Sequence, residues 1–388
     1  MRLRMSRLAL AAGAAALSLT LLTPPAGAAA DTRPLSLGQA GSDTTYFMMV
    51  PIAKGFVANK TYNPHKDKVT EIPPVNTDPF PASVTVPKDW EHGAKTWNSS
   101  NPQSTPPNGS SAGVTALNSD TNGFVDFARS SRGPNPGETN VDNFWAFALG
   151  AVDYVTFPGT HAPAGGLTVQ QLVNIYTCDP STHAPFVTDW SQVGGTPGPI
   201  IKYAPQLGSG TLSFFGTKLL NGGTVDQNCD ALHQSIRVEE HDARKVASGD
   251  KPNAIFMYDW GKFTAQKTGF EKNLTNGAVL GKTGISAPLV APSQSNVKEA
   301  KTSSTYVGVR YLFNVVRKTN HPGQRANQFN DVTRFIGVKT TTQGGPGYIC
   351  SGKAAAAIKK AGFVPLTKGK TGGTGLPAST CRLNPTPL

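Results

Sequence analysis

Residues 203–220 read "YAPQLGSGTLSFFGTKLL": a strand-like approach, a Gly-Ser-Gly-Thr turn, then Leu212, Phe215 and Leu219 at roughly helical spacing. One face of such a helix can bury while its amino end stays open, where the first backbone N–H groups have no partner within the helix. Gly208 and Gly210 let a ligand approach that backbone, and Ser209 and Thr211 add hydroxyl donors. An anion suits such an end. An ordinary capped turn has the same appearance, so the motif needs support from elsewhere in the chain. Better-known motifs are excluded by single residues. Ser213 stands where a dinucleotide fingerprint needs its third glycine, Leu207 where a nucleophile elbow needs a glycine, and Asn276 where "NGAVLGKTG" would need the first glycine of a P-loop.

Three more loops share this chemistry. "GSDTTYF" offers Ser42, Asp43, Thr44, Thr45 and Tyr46; "NGSSAGV" offers Ser110 and Ser111 before a helix; "DFARSSRG" offers Arg129, Ser130, Ser131 and Arg132. Around them strands and helices alternate, which indicates an α/β fold. "GFVDFARSS" reads as a short buried strand running into a loop and "NFWAFALGAVDYVTF" as a central strand. Thr168 caps a helix whose Val169, Leu172, Ile175 and Tyr176 form one apolar face. "GPIIKYAP", "NAIFMYDWGKF" and "TYVGVRYLFNVV" are strands, and "SGKAAAAIKKAGFVPL" holds a late helix. Residues 59–111, rich in Pro, Asn, Ser and Thr, read as extended loop and short strand. No solenoid repeat is present.

The first thirty residues carry Arg2, Arg4 and Arg7, then an apolar stretch, then Ala28, Ala29 and Ala30. That order describes an export signal, with the mature chain beginning near Ala29 or Asp31. No cysteine lies near the cleavage point, so no lipid anchor is expected and the product is secreted, extracellular or held at the cell wall. Cys178, Cys229, Cys350 and Cys381 suit an exported protein with two disulfides. Three pairings are possible, and pairing of sequence neighbours is expected. None of the four has zinc-ligand spacing to another. The net charge of +12 falls to +9 without the signal's three arginines, an excess that favours anionic partners. Lysines and arginines are scattered without a basic, aromatic-interleaved stripe, so nucleic acid is not expected.

The order of motifs resembles the phosphate-binding proteins of phosphate ABC importers, in the periplasmic binding protein superfamily. "GSDTTYF" is similar to that family's early turn, "GSSAGV" to its ligand-binding serine turn, and "VDFARSS" to its Val-Asp-Phe strand and following loop. "NIYTCDPSTHAPFVTDW", the Gly208–Thr211 turn, "AIFMYDW" and "GFVPL" continue the order over nearly the whole mature chain. The resemblance implies two α/β lobes joined by a hinge, 31–155 with 303–388 and 156–302, closing on an anion. It also implies an ABC permease as partner, a monomer, no cofactor and no catalysis. Two charged positions depart from the family: Ser131 replaces an aspartate, and Pro205 stands where an arginine precedes the turn. Asp43, Arg129 and Arg132 are the candidates to replace them. The leading function is therefore capture of phosphate or a related oxyanion for uptake. The alternatives are a secreted phosphate-ester hydrolase and a wall-associated binder of anionic polymer or carbohydrate. The hydrolase lacks a visible nucleophile and base, since His233, Glu239, Glu240, His241 and Asp242 read as a solvated helix face.

Overall fold

The computed structural model describes residues 36–71, 84–86, 95–97, 107–119, 125–181, 186–298, 306–319, 328–337, 347–366, 381–385 and 388. The expected export signal and much of the polar stretch 59–111 lie outside them. Within that stretch, Val84–Val86 and Lys95–Trp97 pair as an antiparallel ladder.

One curled sheet organises the chain, with its main path running Lys68–Glu71, Ser36–Gly41, Phe127–Ser130, Val309–Arg317, Asp142–Thr156, Ala254–Asp259, Ile201–Pro205 and Ile236–Val238. The first three strands are mutually parallel, as are the last three. The two long strands between them run antiparallel to each other and to the flanking strands. Apolar residues at nearly every position of "NFWAFALGAVDYVTF" make the fifteen-residue Asp142–Thr156 strand a fully covered one. It pairs with Val309–Arg317 as far as Ala151, then with Ala254–Asp259 from Val152 onward. The cores divide at the same peptide bond. Ala151 belongs to a cluster that includes Leu37, Phe56, Phe127 and Phe313; Val152 belongs to one that includes Leu172, Trp190, Phe215 and Met257. A third cluster, around Tyr203 and Phe256, packs the other side of the second half. The molecule is thus a mixed α/β, two-lobed structure in which one strand serves both lobes.

Helices follow from local pattern. The helix Asp43–Val57 buries Thr44, Met48, Ile52 and Phe56 in one i,i+4 row and Thr45, Met49 and Ala53 in the next, which ties its amino end to the first core. Thr168 caps Val169–Thr177 through a complete capping box with Gln171. Thr168→Ala is expected to cost about 1 kcal/mol, read as a lowered melting temperature with no change in ligand affinity. Beyond Ser209 the chain is helical over Gly210–Phe214, then widens to a π-type turn over Phe215–Leu219. Phe215 and Leu219 are fully buried and Leu212 only partly, so the apolar face lies slightly off the one a regular helix would give. "AIFMYDW" ends its strand at Asp259, and Trp260–Lys267 is already helix. Disulfides join Cys178 to Cys229 and Cys350 to Cys381, one in each lobe. Closing loops of 51 and 31 residues stabilises the fold by on the order of 4 kcal/mol each in the chain-entropy model.

Candidate functional site

In open α/β sheets, ligands bind beyond the carboxyl ends of the parallel strands. Five such ends meet here. Ser36–Gly41 leads to Ser42–Thr45, Phe127–Ser130 to Ser131, Ile201–Pro205 to Gly208–Thr211, Ile236–Val238 to Glu240 and His241, and Ala254–Asp259 ends on Asp259 itself.

Ser131 is the meeting point. Its Oγ accepts from Ser42 Oγ at 3.1 Å and Thr44 Oγ1 at 3.3 Å, and it lies 3.2 Å from Ser110 Oγ. Its N–H donates to Ser110 Oγ at 2.9 Å. The second lobe touches this hydroxyl cluster through Gly210. A Cβ there would fall 2.2 Å from Ser110 Oγ and 2.3 Å from Ser131 Oγ, so glycine is required by the approach of the lobes. The adjoining backbone is in contact too, since Ser111 N donates to Gly208 O at 3.3 Å. Ser209 acts as a helix cap. Its Oγ accepts from Thr211 N and Leu212 N, both at 3.1 Å, and donates to Glu240. The capped-turn reading of the opening motif therefore holds for Ser209, whose hydroxyl proton is committed to Glu240.

The other candidates divide. Arg129 is buried, and its guanidinium donates to the backbone carbonyls of Gln39 at 2.9 Å and Ser42 at 3.1 Å while lying 5.3 Å from the centre of the Tyr46 ring. Arg132 forks onto Glu138 at 2.8 Å and donates to Ser111 Oγ at 3.0 Å. Both arginines hold loops in place. The Ser130 hydroxyl turns back to Arg132 O at 2.8 Å. Thr45 Oγ1 is buried with no partner. Asp43 is half-buried, and its carboxyl is pushed well up by burial and by the neighbouring Glu240.

Sequence reasoning missed the central cation. Arg310, 1 % exposed, extends from the long Val309–Arg317 strand opposite Gly150, where the lobes join. It donates to Ser131 O at 2.8 Å, Thr211 Oγ1 at 3.0 Å and Asp259 Oδ2 at 2.8 Å. Its buried Nε has no partner. The signal was present: a single arginine inside "VGVRYLF" is a charge at a position where the strand is covered on both faces, and such a charge needs a reason. Asp259 supplies the opposite charge; burial pushes its carboxyl up, and Arg310 pulls it back.

The reading of Glu239–Asp242 as a solvated helix face is corrected. Glu240, His241 and Asp242 lie in a non-helical turn and are buried, because the turn is the part of the second lobe that packs on Asp43 and Thr44 of the first. His241 is pushed down to about 3 by burial, aided by Lys262 and Arg310, so its imidazole is neutral at pH 7. Burial works against ionisation of Glu240 as well. Hydrogen bonds from Asp43 and Ser209, with the charge of Arg310, outweigh it and hold Glu240 ionised. A small pocket of about 40 Å³ opens beside this turn, lined by Asp43, Tyr46, Glu240, His241, Lys262 and Glu271 among others.

The comparisons agree with this architecture. The fold is similar to an ABC-type phosphate transport receptor from Vibrio cholerae, at 16 % identity over 84 % of this chain and 99 % of that one, with a TM-score of 0.50. A substrate-binding protein assigned to a phosphate ABC transporter of Clostridium perfringens, solved with bound phosphate, gives 16 % identity, coverage of 85 % and 99 %, and 0.51. A high-affinity periplasmic phosphate-binding protein, PfluDING, bound with phosphate, gives 12 % identity, coverage of 86 % and 91 %, and 0.50. No curated protein matches the chain. Residues 92–336 match the family model described as a PBP superfamily domain. That match takes in more than half of the chain, including both long strands and four of the five converging loops, and the chain belongs to the PBP superfamily.

Proposed function

We propose that the protein is an extracytoplasmic solute-binding protein that encloses phosphate or a related tetrahedral oxyanion and delivers it to an ABC-type permease. The lobes are taken as 31–155 with 303–388, and 156–302. One observation carries the reading: hydroxyls from four loops of both lobes gather with the Arg310 guanidinium at the lobe boundary. Hydroxyls and a guanidinium together present the donors that a tetrahedral oxyanion accepts, and burial strengthens each bond. Ser110, Ser131, Thr44 and Thr211 line the anion's position, Arg310 supplies the positive charge that Pro205 cannot, and Arg129 and Arg132 support the loops. The solved structures named above are described as phosphate receptors, which adds weight to phosphate as the anion. Binding rather than catalysis fits this set. Among the described residues near Ser131 and Ser209, the one histidine in reach contacts Thr44, and its imidazole is buried. The described residues include no helix long and apolar enough to cross a membrane.

Calorimetric titration with phosphate and with sulfate at matched ionic strength tests the proposal. Saturable binding of one anion that persists at high salt is expected, because an enclosed ion is screened far less than one on the surface. Ser110→Ala is expected to weaken it roughly 10- to 150-fold, the value of one charge-assisted hydrogen bond. Absence of binding by either ion would remove the oxyanion reading.

A further inference from the structure

Asp43 and Glu240 meet across the lobe boundary as two acids with one hydrogen bond between them, and apart from that bond Asp43 Oδ1 and Glu240 Oε1 are buried with no other donor. Beside them His241 has a buried, unpartnered Nδ1. Glu240 is 3 % exposed and His241 1 %. Donor atoms of the three residues lie within 4.8 Å of one another, and His241 Nε2 stands 3.6 Å from Glu240 Oε2. Ligand atoms around a tetrahedral zinc ion, each about 2.0–2.2 Å from the metal, are about 3.3–3.6 Å apart. A small contraction brings this set to that spacing. Nε2 currently contacts Thr44 Oγ1 at 3.2 Å, but that hydroxyl has Ser131 Oγ as a second partner at 3.3 Å and can release the imidazole.

We propose that Asp43, Glu240 and His241 bind one divalent cation of the zinc class across the lobe boundary. The proton that Asp43 shares with Glu240 leaves when such a cation binds. Six acidic groups, those of Asp43, Glu239, Glu240, Asp242, Asp259 and Glu271, gather here with three cations, Lys262, Lys272 and Arg310. Lys262 is paired with Glu271 at 2.5 Å and Arg310 with Asp259 at 2.8 Å, while Glu239 accepts from Asn108 at 3.2 Å. Neither Asp43 nor Glu240 is in ion-pair contact with a lysine or arginine among the described residues, and once their shared proton is displaced a divalent ion matches the two charges. Two carboxylates with one imidazole suit zinc or manganese rather than a soft metal. The neighbouring pocket gives the entry path such a site requires. Asp43 comes from the first lobe and the other two ligands from the second, so the ion clamps the cleft shut. Three protein ligands leave a coordination position free, which an oxyanion oxygen can fill. The cation site itself does not depend on the oxyanion reading.

The test uses the full exported chain, stripped by chelator and titrated with zinc alone in phosphate-free buffer. Uptake of a single equivalent and a raised melting temperature are expected, with affinity falling about 100-fold in Glu240→Gln. Circular dichroism verifies folding of that variant, and Asp43→Asn, at a less buried position, carries the same expectation if Glu240→Gln does not fold. Failure of the stripped protein to retain zinc, or unchanged zinc affinity in a folded variant, overturns the site. Phosphate titration of the stripped protein separates the two proposals. Phosphate binding without zinc uptake overturns the cation site alone, whereas zinc uptake without binding of either anion, with and without the metal, leaves the site standing and removes the oxyanion reading.

Discussion

Arg310→Met is expected to abolish high-affinity oxyanion binding and to destabilise the protein by about 3–5 kcal/mol. The two losses have separate causes. In the native fold Arg310 and Asp259 are 1 % and 0 % exposed, and they pair at 2.8 Å. Removing the guanidinium leaves the Asp259 carboxylate buried with one remaining donor, the N–H of Lys262 at 2.8 Å. Neutralising that carboxylate in the double variant Arg310→Met/Asp259→Asn is expected to regain most of the stability, since an amide needs no counter-charge. Binding is not regained, because the donor facing Ser131 and Thr211 is still missing. Truncating one partner of a buried, hydrogen-bonded charge pair costs roughly 2–5 kcal/mol in binding, or about 30-fold to several thousand-fold in affinity. Denaturant melts and calorimetry on both variants check this. A double variant that recovers affinity along with stability would reduce Arg310 to a structural residue.

Asp153→Asn is expected to flatten the dependence of stability on pH between about 4 and 7. Asp153 is wholly buried on the strand shared by the lobes, and burial pushes its carboxyl up to about 7, against opposing hydrogen bonds from Thr283 Oγ1 at 2.6 Å and Tyr154 N at 2.8 Å. The unfolded carboxyl titrates near 4. Between these values the folded state holds a proton that the unfolded state has lost, so stability falls as pH rises. The slope is on the order of 1 kcal/mol per pH unit, and the contribution, full below pH 4, is gone above pH 7. Asparagine keeps an acceptor for both donors and does not titrate. The variant should therefore gain on wild type as pH rises from 5 to 8, in urea melts at each pH. Parallel curves would show that Asp153 is ionised in the folded protein.

The parts of this molecule legible in the sequence are those set by local pattern. Alternation and apolar runs mark the strands, the Thr168–Gln171 spacing marks a cap, and the hydroxyl-rich turns mark the ends of strands where ligands collect. Neighbouring cysteines pair as expected because each pair lies within one lobe. What escaped is what only the closing of the lobes creates. Arg310 looks like one residue of an apolar strand until Ser131, Thr211 and Asp259 arrive from three other segments. Glu240 and His241 have the composition of a surface turn, and they become buried because another lobe covers them. Arg129 and Arg132 drew notice as loop cations, yet carbonyls and Glu138 within their own lobe already occupy them. Local sequence carries no record of which charge finds its partner nearby and which finds it across a boundary.

The first core unites Leu37 near the beginning of the described chain with Cys381 near its end, and the strand Val309–Arg317 lies between two strands that precede it by more than 150 positions. A chain emerging amino end first can collapse locally, but it cannot complete this core until its last segments are available. Folding is consequently dominated by long-range loop closure and is slow for the protein's size. For the extracytoplasmic role we propose, in which the polypeptide crosses a membrane as an extended thread, such delay is an asset: the topology itself postpones the native state until transit is over.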